Sequence, residues 1–373
     1  MDPATDLRAQ LADSLRASGV LADPRWVEAF RQVPRHVFVP GCFVQQGDGR
    51  WAAITSDHPD HLSTVYRNQV CVTQLNGSDD AWQQALTTGP VHGVPTSSSS
   101  MPTIMAIMLE ALDARPGSTV LEVGTGTGYN AALLSHVLGE RAVTSVDVDP
   151  GVHARAVRLL RSAGYAPHCV AGDGERGHPP RAPYSRILGT CAVSRVPEPW
   201  LRQVEPDGLV VTTFNRVIGA GLVRLVVRDG VARGRVLRED GRFMPLRAHR
   251  QAWADAALDA AADATSASSR TTLLPARAVV DSSSPFEFFA GLVLEGAALA
   301  FDPVRLVHPD GSWVRHLGAV VEQGGPRELW TAVERGHREW RALGRPRRQH
   351  FTFTASADGQ HFGLAGTELT WPL

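Results

Sequence analysis

Residues 120–134, VLEVGTGTGYNAALL, decide the fold of this chain. A short apolar run containing Glu122 is followed by glycines at alternate positions, Gly124, Gly126 and Gly128, and then by a helical apolar pattern from Tyr129. Glycine permits a tight turn and a close approach of the main chain to a ligand, and N–H groups at a helix start can bind polar groups of that ligand. The stretch therefore predicts a buried strand, a ligand-binding turn and a helix. The alternative is a glycine-rich turn that binds nothing.

Strands and helices are predicted to alternate after Ser100. We predict helices at residues 101–112, 129–138, 151–162 and 199–204, and strands at 119–123, 142–146, 168–171, 186–190, 209–214 and 222–228. Such alternation favours a mostly parallel sheet with helices on both faces. The predicted fold class is α/β, with a doubly wound sheet, N-terminal helices before it and an additional α+β region after it.

The flanking regions are less regular. Two short helices are predicted before residues 31–40, RQVPRHVFVP, which Pro34 and Pro40 should keep extended. Residues 41–98 read as an insert of loops and short strands, residues 249–264 as a helix, and residues 265–272 as a polar linker. A further helix is predicted at 327–343 and two strands near the end of the chain. We therefore predict three regions: N-terminal helices and insert at 1–98, a core at 99–245 and an accessory region at 246–373.

Charge and composition limit the classes of partner. The chain has 37 basic and 38 acidic residues, so it lacks the net positive field expected of a nucleic-acid-binding protein. It has no apolar run of about 18 residues that could span a membrane, and its N-terminus lacks the apolar stretch of an export signal. The four cysteines form no CxxC pair, which favours reduced thiols and a cytoplasmic location. We expect no nucleic-acid or membrane partner.

The spacing of the glycines resembles the first motif of class I S-adenosylmethionine methyltransferases. That motif is E-x-G-x-G-x-G, whereas dinucleotide-binding proteins have G-x-G-x-x-G. The resemblance implies S-adenosylmethionine as cofactor and a class I methyltransferase, Rossmann-like fold. It assigns cofactor binding to the residues of this motif, which are Glu122, Gly124, Thr125, Gly126 and Gly128.

Acidic residues after the next two strands complete the predicted cofactor site. Asp147 closes the apolar run of the second strand, where a carboxylate can accept hydrogen bonds from both ribose hydroxyls. The alternative role for Asp147 is helix capping, which suits Asp149 better. Asp173 and Gly174 follow the third strand, and the resemblance places this acid at the adenine amino group. Alone, the GDG sequence around Asp173 is more often a turn.

Several further motifs resemble the protein-L-isoaspartate O-methyltransferase family. RQVPRHVFVP at 31–40 is similar to the family's V-P-R-x-x-F-V-P element, and residues 172–192 and 201–211 are similar to two later elements, across about residues 24–230. The family also has a catalytic serine in a Ser-x-Pro element. In SSSSMP at 97–102 the resemblance assigns this role to Ser100, and a shift of one residue would assign it to Ser99. Without the resemblance, four serines favour a flexible or helix-capping loop.

The resemblance implies methylation of an Asp or isoAsp carboxylate in a peptide, followed by closure of the ester to a succinimide (aspartimide). Residues 246–373 extend beyond the minimal repair enzyme, a layout that resembles the methyltransferases of graspetide biosynthesis. That layout implies an ester-crosslinked ribosomal precursor peptide as substrate, recognised by the accessory region. The alternatives are isoaspartate repair, a small-molecule methyltransferase, and a scaffold that only binds a peptide. The accessory region could also simply cover apolar surface.

A metal site is not expected. His58, Asp60 and His61 lie close in the sequence, but no clear third and fourth ligand accompanies the two histidines. We therefore interpret both histidines as surface residues.

Overall fold

The computed structural model describes residues 2–216, 218–251, 253–301 and 303–373. The chain forms two compact units. The first unit comprises the chain up to Cys191 together with Pro197–Thr212 and Val226–Asp229, and the second comprises Ala192–Val196, Thr213–Leu225 and Gly230–Leu373. The functional regions proposed at 1–98, 99–245 and 246–373 follow a different division.

Three helices open the first unit: α1 (Pro3–Ala17), α2 (Pro24–Gln32) and α3 (Arg35–Phe38). Asp2 and Asp23 cap α1 and α2, and each precedes a proline whose fixed φ suits the first helical position. The prediction that residues 31–40 are extended is wrong at residues 31–32, which end α2, and at α3. Pro34 is the extended N-cap there, so it begins the helical turn instead of preventing one.

The insert forms an antiparallel sheet in the order β2-β1-β3-β4. Its strands are β1 (Gly41–Gln45), β2 (Trp51–Thr55), β3 (Cys71–Leu75) and β4 (Pro95–Ser99), with helices α4 (His61–Tyr66) and α5 (Asp80–Thr88) between them. The short strands were predicted and the two helices were not. These helices have six and nine residues, which is too short to show a clear helical period in the sequence.

The central α/β elements, which lie mainly in the first unit, confirm the predicted fold class. In chain order its elements are α6 (Pro102–Leu112), β5 (Val120–Val123), α7 (Tyr129–Leu138), β6 (Val143–Asp147), α8 (Pro150–Ser162), β7 (His168–Ala171), β8 (Tyr184–Val193), α9 (Glu198–Gln203) and β9 (Val204–Phe214). The strand order is β9-β8-β5-β6-β7, and β5 pairs in parallel with both β6 and β8. Every residue of β5 is buried, as expected for a central strand covered on both faces.

The second unit contains two further groups of strands. Strands β10 (Leu222–Arg228), β11 (Val231–Val236), β17 (Phe351–Ser356), β18 (Gly359–Leu364) and β19 (Thr370–Pro372) follow one another in that order. A five-stranded sheet has the order β12-β16-β15-β14-β13, with β12 (Ser268–Thr271), β13 (Ala298–Ala300), β14 (Val304–Val307), β15 (Trp313–Leu317) and β16 (Val320–Gly324). The helices are α10 (Ala254–Asp263), α11 (Arg277–Val280), α12 (Glu287–Val293) and α13 (Leu329–Ala342).

The prediction of a linker at 265–272 is wrong, because this segment contains β12. Ser268–Thr271 pairs antiparallel with β16 along its whole length. Arg270 of this strand forms an ion pair with Glu334 at 2.8 Å. An edge strand can carry polar side chains, so its composition resembled that of a loop.

Candidate active site

The three glycines of the first motif occupy conformations that other residues rarely adopt. Gly124, Gly126 and Gly128 have φ angles of 103°, 53° and 87°. A Cβ on Gly124 would lie 2.7 Å from Oγ1 of Thr190, and one on Gly128 would lie 3.1 Å from Leu160. Helix α7 begins directly after Gly128, and its first N–H, that of Tyr129, donates to the Thr127 hydroxyl at 3.4 Å. The N–H groups of Gly124 and Gly126 donate to the carbonyl of Val146 and the carboxylate of Asp147, so the loop is bonded to the end of β6. The loop therefore places the N-terminus of α7 at the carboxyl end of β5, where a polar ligand group can bind.

The Glu122 carboxylate lies beneath this loop in a buried network. Asn130 donates to one of its oxygens at 2.7 Å and Ser145 donates to the other at 2.5 Å. Thr125 and Ser145 share a hydrogen bond of 2.7 Å between their hydroxyls. Burial raises the pKa of the Glu122 carboxyl to about 7, although both donors favour the ionised form. Glu122 and Thr125 therefore connect the glycine loop to β6 and α7 through hydrogen bonds with Ser145 and Asn130.

Asp147 lies at the carboxyl end of β6 beside the loop. One of its oxygens accepts a hydrogen bond from the N–H of Gly126 at 2.9 Å, and the other accepts from the N–H of Asp149 at 3.0 Å. Asp149 in turn caps α8 by accepting from the N–H groups of Gly151 and Val152. Helix capping thus falls to Asp149, whereas Asp147 bonds the glycine loop to the end of β6.

Asp173 and Gly174 follow the neighbouring strand β7. The N–H of Gly172 donates to the carbonyl of Asp147 at 2.8 Å, so the ends of β6 and β7 lie side by side. The Asp173 carboxylate accepts from the N–H of Glu175, and the carbonyl of Gly174 accepts from the Trp200 indole at 2.8 Å. Two acids, Asp147 and Asp173, therefore follow neighbouring parallel strands at the same edge of the sheet, an arrangement that suits a ligand with several hydroxyl and amino donors.

The serine segment runs alongside the same loop. A Cβ on Gly126 would lie 3.2 Å from the carbonyl oxygen of Ser98, which shows how closely β4 approaches the loop. The Ser99 side chain is buried, and its hydroxyl has no hydrogen-bond partner within the part of the chain that the structure describes. Ser100 directly follows β4 and is partly exposed. The two candidate serines therefore have different surroundings: Ser99 is buried at the end of β4, and Ser100 is partly exposed directly after it.

Arg35 is a residue of this site that the sequence reasoning missed. Its side chain is fully buried, and its guanidinium donates to the carbonyl oxygens of Val65 at 2.8 Å and Ser100 at 2.9 Å. It also lies 5.8 Å from the ring centre of Tyr129, the first residue of α7. Arg35 thus holds the segment that contains Ser100 next to α7, the helix that follows the glycine motif. The sequence feature that could have revealed Arg35 is a charged residue among the apolar residues of the 31–40 motif.

The two histidines considered for a metal have different surroundings. His58 is exposed, whereas His61 is buried with a ring nitrogen 2.7 Å from the carbonyl oxygen of Val39, so the surface interpretation of His61 is wrong. Among the residues described, no group of three His, Cys, Asp or Glu side chains could hold a metal ion. Within those same ranges, no helix is both long and apolar enough to cross a membrane.

Comparison with known proteins identifies the class and the family. The family profile for protein-L-isoaspartate(D-aspartate) O-methyltransferase matches residues 78–251. A protein-L-isoaspartate O-methyltransferase 2 from Anaeromyxobacter sp. is 32% identical over 250 residues, covering 66% of this chain and 84% of the relative. Its namesake from Archaeoglobus fulgidus is 31% identical over 245 residues, covering 64% of this chain and 92% of the relative. A solved structure described as protein-L-isoaspartate O-methyltransferase aligns with a TM-score of 0.56 and 22% identity, over 96% of this chain and 99% of that one.

The fold and the arrangement of loop, acids and parallel strands are those of a class I methyltransferase. The chain belongs to the protein-L-isoaspartate O-methyltransferase family. It is therefore an S-adenosylmethionine-dependent O-methyltransferase that acts on peptides or proteins. The N-terminus of α7 and the acids at the ends of β6 and β7 suit that cofactor, which carries a charged amino acid end, a ribose and an adenine.

Proposed function

We propose that this enzyme methylates the free carboxylate of L-isoaspartyl residues in peptides or proteins. The observation that supports the proposal is the approach of β4 to the glycine loop, where the Ser98 carbonyl and Gly126 are in close contact. Ser100 lies two residues after Ser98 on the same segment, which supports a position near the residues assigned to the cofactor. Asp147 would hold the ribose, Asp173 the adenine amino group, and the start of α7 the amino acid end.

The chemistry is mainly one of positioning. A free carboxyl group has a pKa of about 4, so it is already an ionised nucleophile at neutral pH and needs no general base. Bound S-adenosylmethionine supplies an electrophilic methyl group on a sulfonium. The Ser100 hydroxyl and nearby N–H groups orient the carboxylate oxygen toward that methyl group, at the roughly 3 to 3.5 Å that a reactive geometry requires.

The product is a methyl ester that is primed for ring closure. The following amide nitrogen attacks the ester carbonyl and methanol leaves, so that a succinimide forms. Hydrolysis of the ring returns part of the material to ordinary aspartate, which is the chemistry of repair. Only the first step needs the enzyme, so the site has to bind the acceptor carboxylate and then release the ester.

A second candidate keeps the chemistry and changes the peptide: an aspartate in an ester-crosslinked ribosomal precursor, with aspartimide as the product. The presence of residues 246–373 motivates this second candidate, since that region would recognise the shape of the crosslinked peptide. The solved structure described above aligns over 96% of this chain, so a fold of this extent also occurs in a protein named protein-L-isoaspartate O-methyltransferase. We therefore place isoaspartyl methylation first.

Competition between two peptides separates the candidates. One is a linear peptide with a single L-isoaspartyl residue, and the other is an ester-crosslinked peptide with an ordinary aspartate. If the first proposal holds, kcat/KM should be at least tenfold higher for the linear isoaspartyl peptide than for the crosslinked peptide. A tenfold preference for the crosslinked peptide would reverse the order of the two candidates.

A further inference from the structure

A cleft of about 430 Å³ lies in the first unit beside the glycine loop. Its walls come from the insert, from α3 and from α8, and Gly126 and Thr127 complete one side. The acids assigned to ribose and adenine do not line it. The cleft is therefore a separate cavity that adjoins the cofactor loop.

One wall of the cleft is apolar and rigid. Trp82 packs edge-on against Phe43, with 5.1 Å between the ring centres, and its ring covers Gly41 so closely that a Cβ there would lie 2.6 Å away. Val152 and Leu159 of α8 provide aliphatic surface in the same cavity. A flat aromatic ring fixed beside aliphatic side chains suits a large apolar group.

Other parts of the lining are polar and suit a peptide main chain. Gln83 lines the cleft, and its amide side chain offers a donor and an acceptor, as a peptide group does. Gln74 also lines the cleft, but its amide is already bonded to Asp149 and Thr96. Gln83 is exposed on α5, and its side chain takes part in no hydrogen bond among the described residues.

The two sides of the cleft are fixed to each other. Arg155 of α8 forms an ion pair with Asp79 of the insert at 2.7 Å. Gln74 of β3 donates to the carboxylate of Asp149, the cap of α8, at 3.4 Å. The cavity is therefore formed before a ligand arrives, and its volume lies within the range typical of ligand sites, about 300 to 1,000 Å³.

The distance between the cleft and the candidate catalytic serine, Ser100, determines which part of a bound peptide can reach the cleft. Ser97 lines the cavity and lies three positions before Ser100 on the same extended segment. A strand rises about 3.3 Å per residue, so Ser97 and Ser100 are roughly 10 Å apart. An extended peptide covers that distance in about three residues.

We infer that the cleft is a specificity subsite that receives a large apolar side chain, preferably aromatic, about three residues from the methylated carboxylate. The inference rests on the proposed function, because it requires a peptide acceptor. Burial of an aromatic side chain there adds affinity without touching the reacting atoms, so it lowers KM and changes kcat little.

A peptide series with matched variants tests the subsite. The peptides carry one L-isoaspartyl residue, with Phe or Ala placed in turn at positions two to four on either side. The variants are Gln83→Trp, which fills the cleft from an exposed position, and Gln84→Trp, which adds the same side chain at the next, exposed residue of α5 outside the lining. Circular dichroism and calorimetry with S-adenosylmethionine show that each variant is folded and binds cofactor.

The expected result is a tenfold lower KM for Phe than for Ala at one position about three residues from the acceptor. Gln83→Trp should reduce this ratio to about one, and Gln84→Trp should leave it near ten. Equal KM values for Phe and Ala at all positions, or a preference that survives Gln83→Trp, would overturn the subsite. Failure of the unaltered, cofactor-bound enzyme to methylate any isoaspartyl peptide would instead overturn the proposed function, and the subsite with it.

Discussion

At the scale of single residues, Asp147 both shapes the glycine loop and is positioned to bind the cofactor. Its two oxygens accept N–H groups of Gly126 and Asp149. Asp147→Ala should therefore weaken binding of S-adenosylmethionine by roughly ten- to a hundredfold, since a hydrogen bond to a charged group contributes about 1.5 to 3 kcal/mol. Calorimetric titration measures the change. Asp149→Ala, which removes a helix cap, is the matched control. It should lower the melting temperature, and it should change the affinity for S-adenosylmethionine less than Asp147→Ala does.

The two serines make a second prediction at this scale. Ser100 is partly exposed after β4, whereas the Ser99 hydroxyl is buried at the end of the strand. Ser100→Ala should lower kcat for an isoaspartyl peptide by about a hundredfold, within the range measured when one positioned donor is removed. The affinity for S-adenosylmethionine should change little. A large loss of kcat in Ser99→Ala with no loss in Ser100→Ala would move the assignment by one residue.

At the scale of elements, Glu122 connects β5 to β6 and α7 through Ser145 and Asn130. Because burial raises its pKa from 4.5 to about 7, the folded protein holds this proton more tightly than the unfolded chain. The free energy of unfolding should therefore fall as the pH rises from about 4.5 to about 7, by an amount on the order of 3 kcal/mol. Glu122→Gln has no such ionisation. Urea unfolding of both proteins without cofactor should show the variant gaining relative stability between pH 5 and pH 8, and parallel pH profiles would refute this role.

Arg35 acts between elements, because it joins α3 to the serine segment and to the first residue of α7. Arg35→Met should lower kcat at least tenfold and change the affinity for S-adenosylmethionine less than threefold, since Ser100 loses its anchor while Asp147 is untouched. The free energy of unfolding should fall by about 1 to 3 kcal/mol, because buried carbonyls lose their donor.

Arg35→Lys is the matched variant for this positioning role, since it keeps the charge and some of the donors. It should recover part of the lost kcat. An Arg35→Met protein that is folded and keeps full kcat would show that the guanidinium serves stability alone.

The sequence predicted those parts of the fold and site that depend on local pattern. The strand, glycine loop and helix at 120–134 lie within one continuous stretch, and helix α7 matches its predicted bounds. The insert could not be predicted in this way. Its helices α4 and α5 are short, and the cleft joins Trp82 to Leu159, residues far apart in the sequence that only the tertiary structure brings together.

At the scale of the whole molecule, the second unit has a core of its own. Phe214 packs on Phe353 and Phe362, with ring centres 4.6 Å and 5.3 Å away, and Glu287 is buried between Arg242 and Arg348. Removal of the chain after Pro245 would take away Phe353, Phe362 and Glu287 and leave Phe214 without its ring contacts. The role proposed for residues 246–373 is therefore better tested by point substitutions in the full chain.

The most direct measurement of the central claim is methyl transfer to a pair of synthetic peptides. The two peptides share one sequence and differ only in an L-isoaspartyl or an L-aspartyl linkage, and each is incubated with the enzyme and S-adenosylmethionine and followed by mass spectrometry. We expect the isoaspartyl peptide to gain the mass of one methyl group and then to lose methanol as the succinimide forms. The aspartyl peptide should react much more slowly. An enzyme that binds S-adenosylmethionine in calorimetry and leaves the isoaspartyl peptide unmethylated would contradict it.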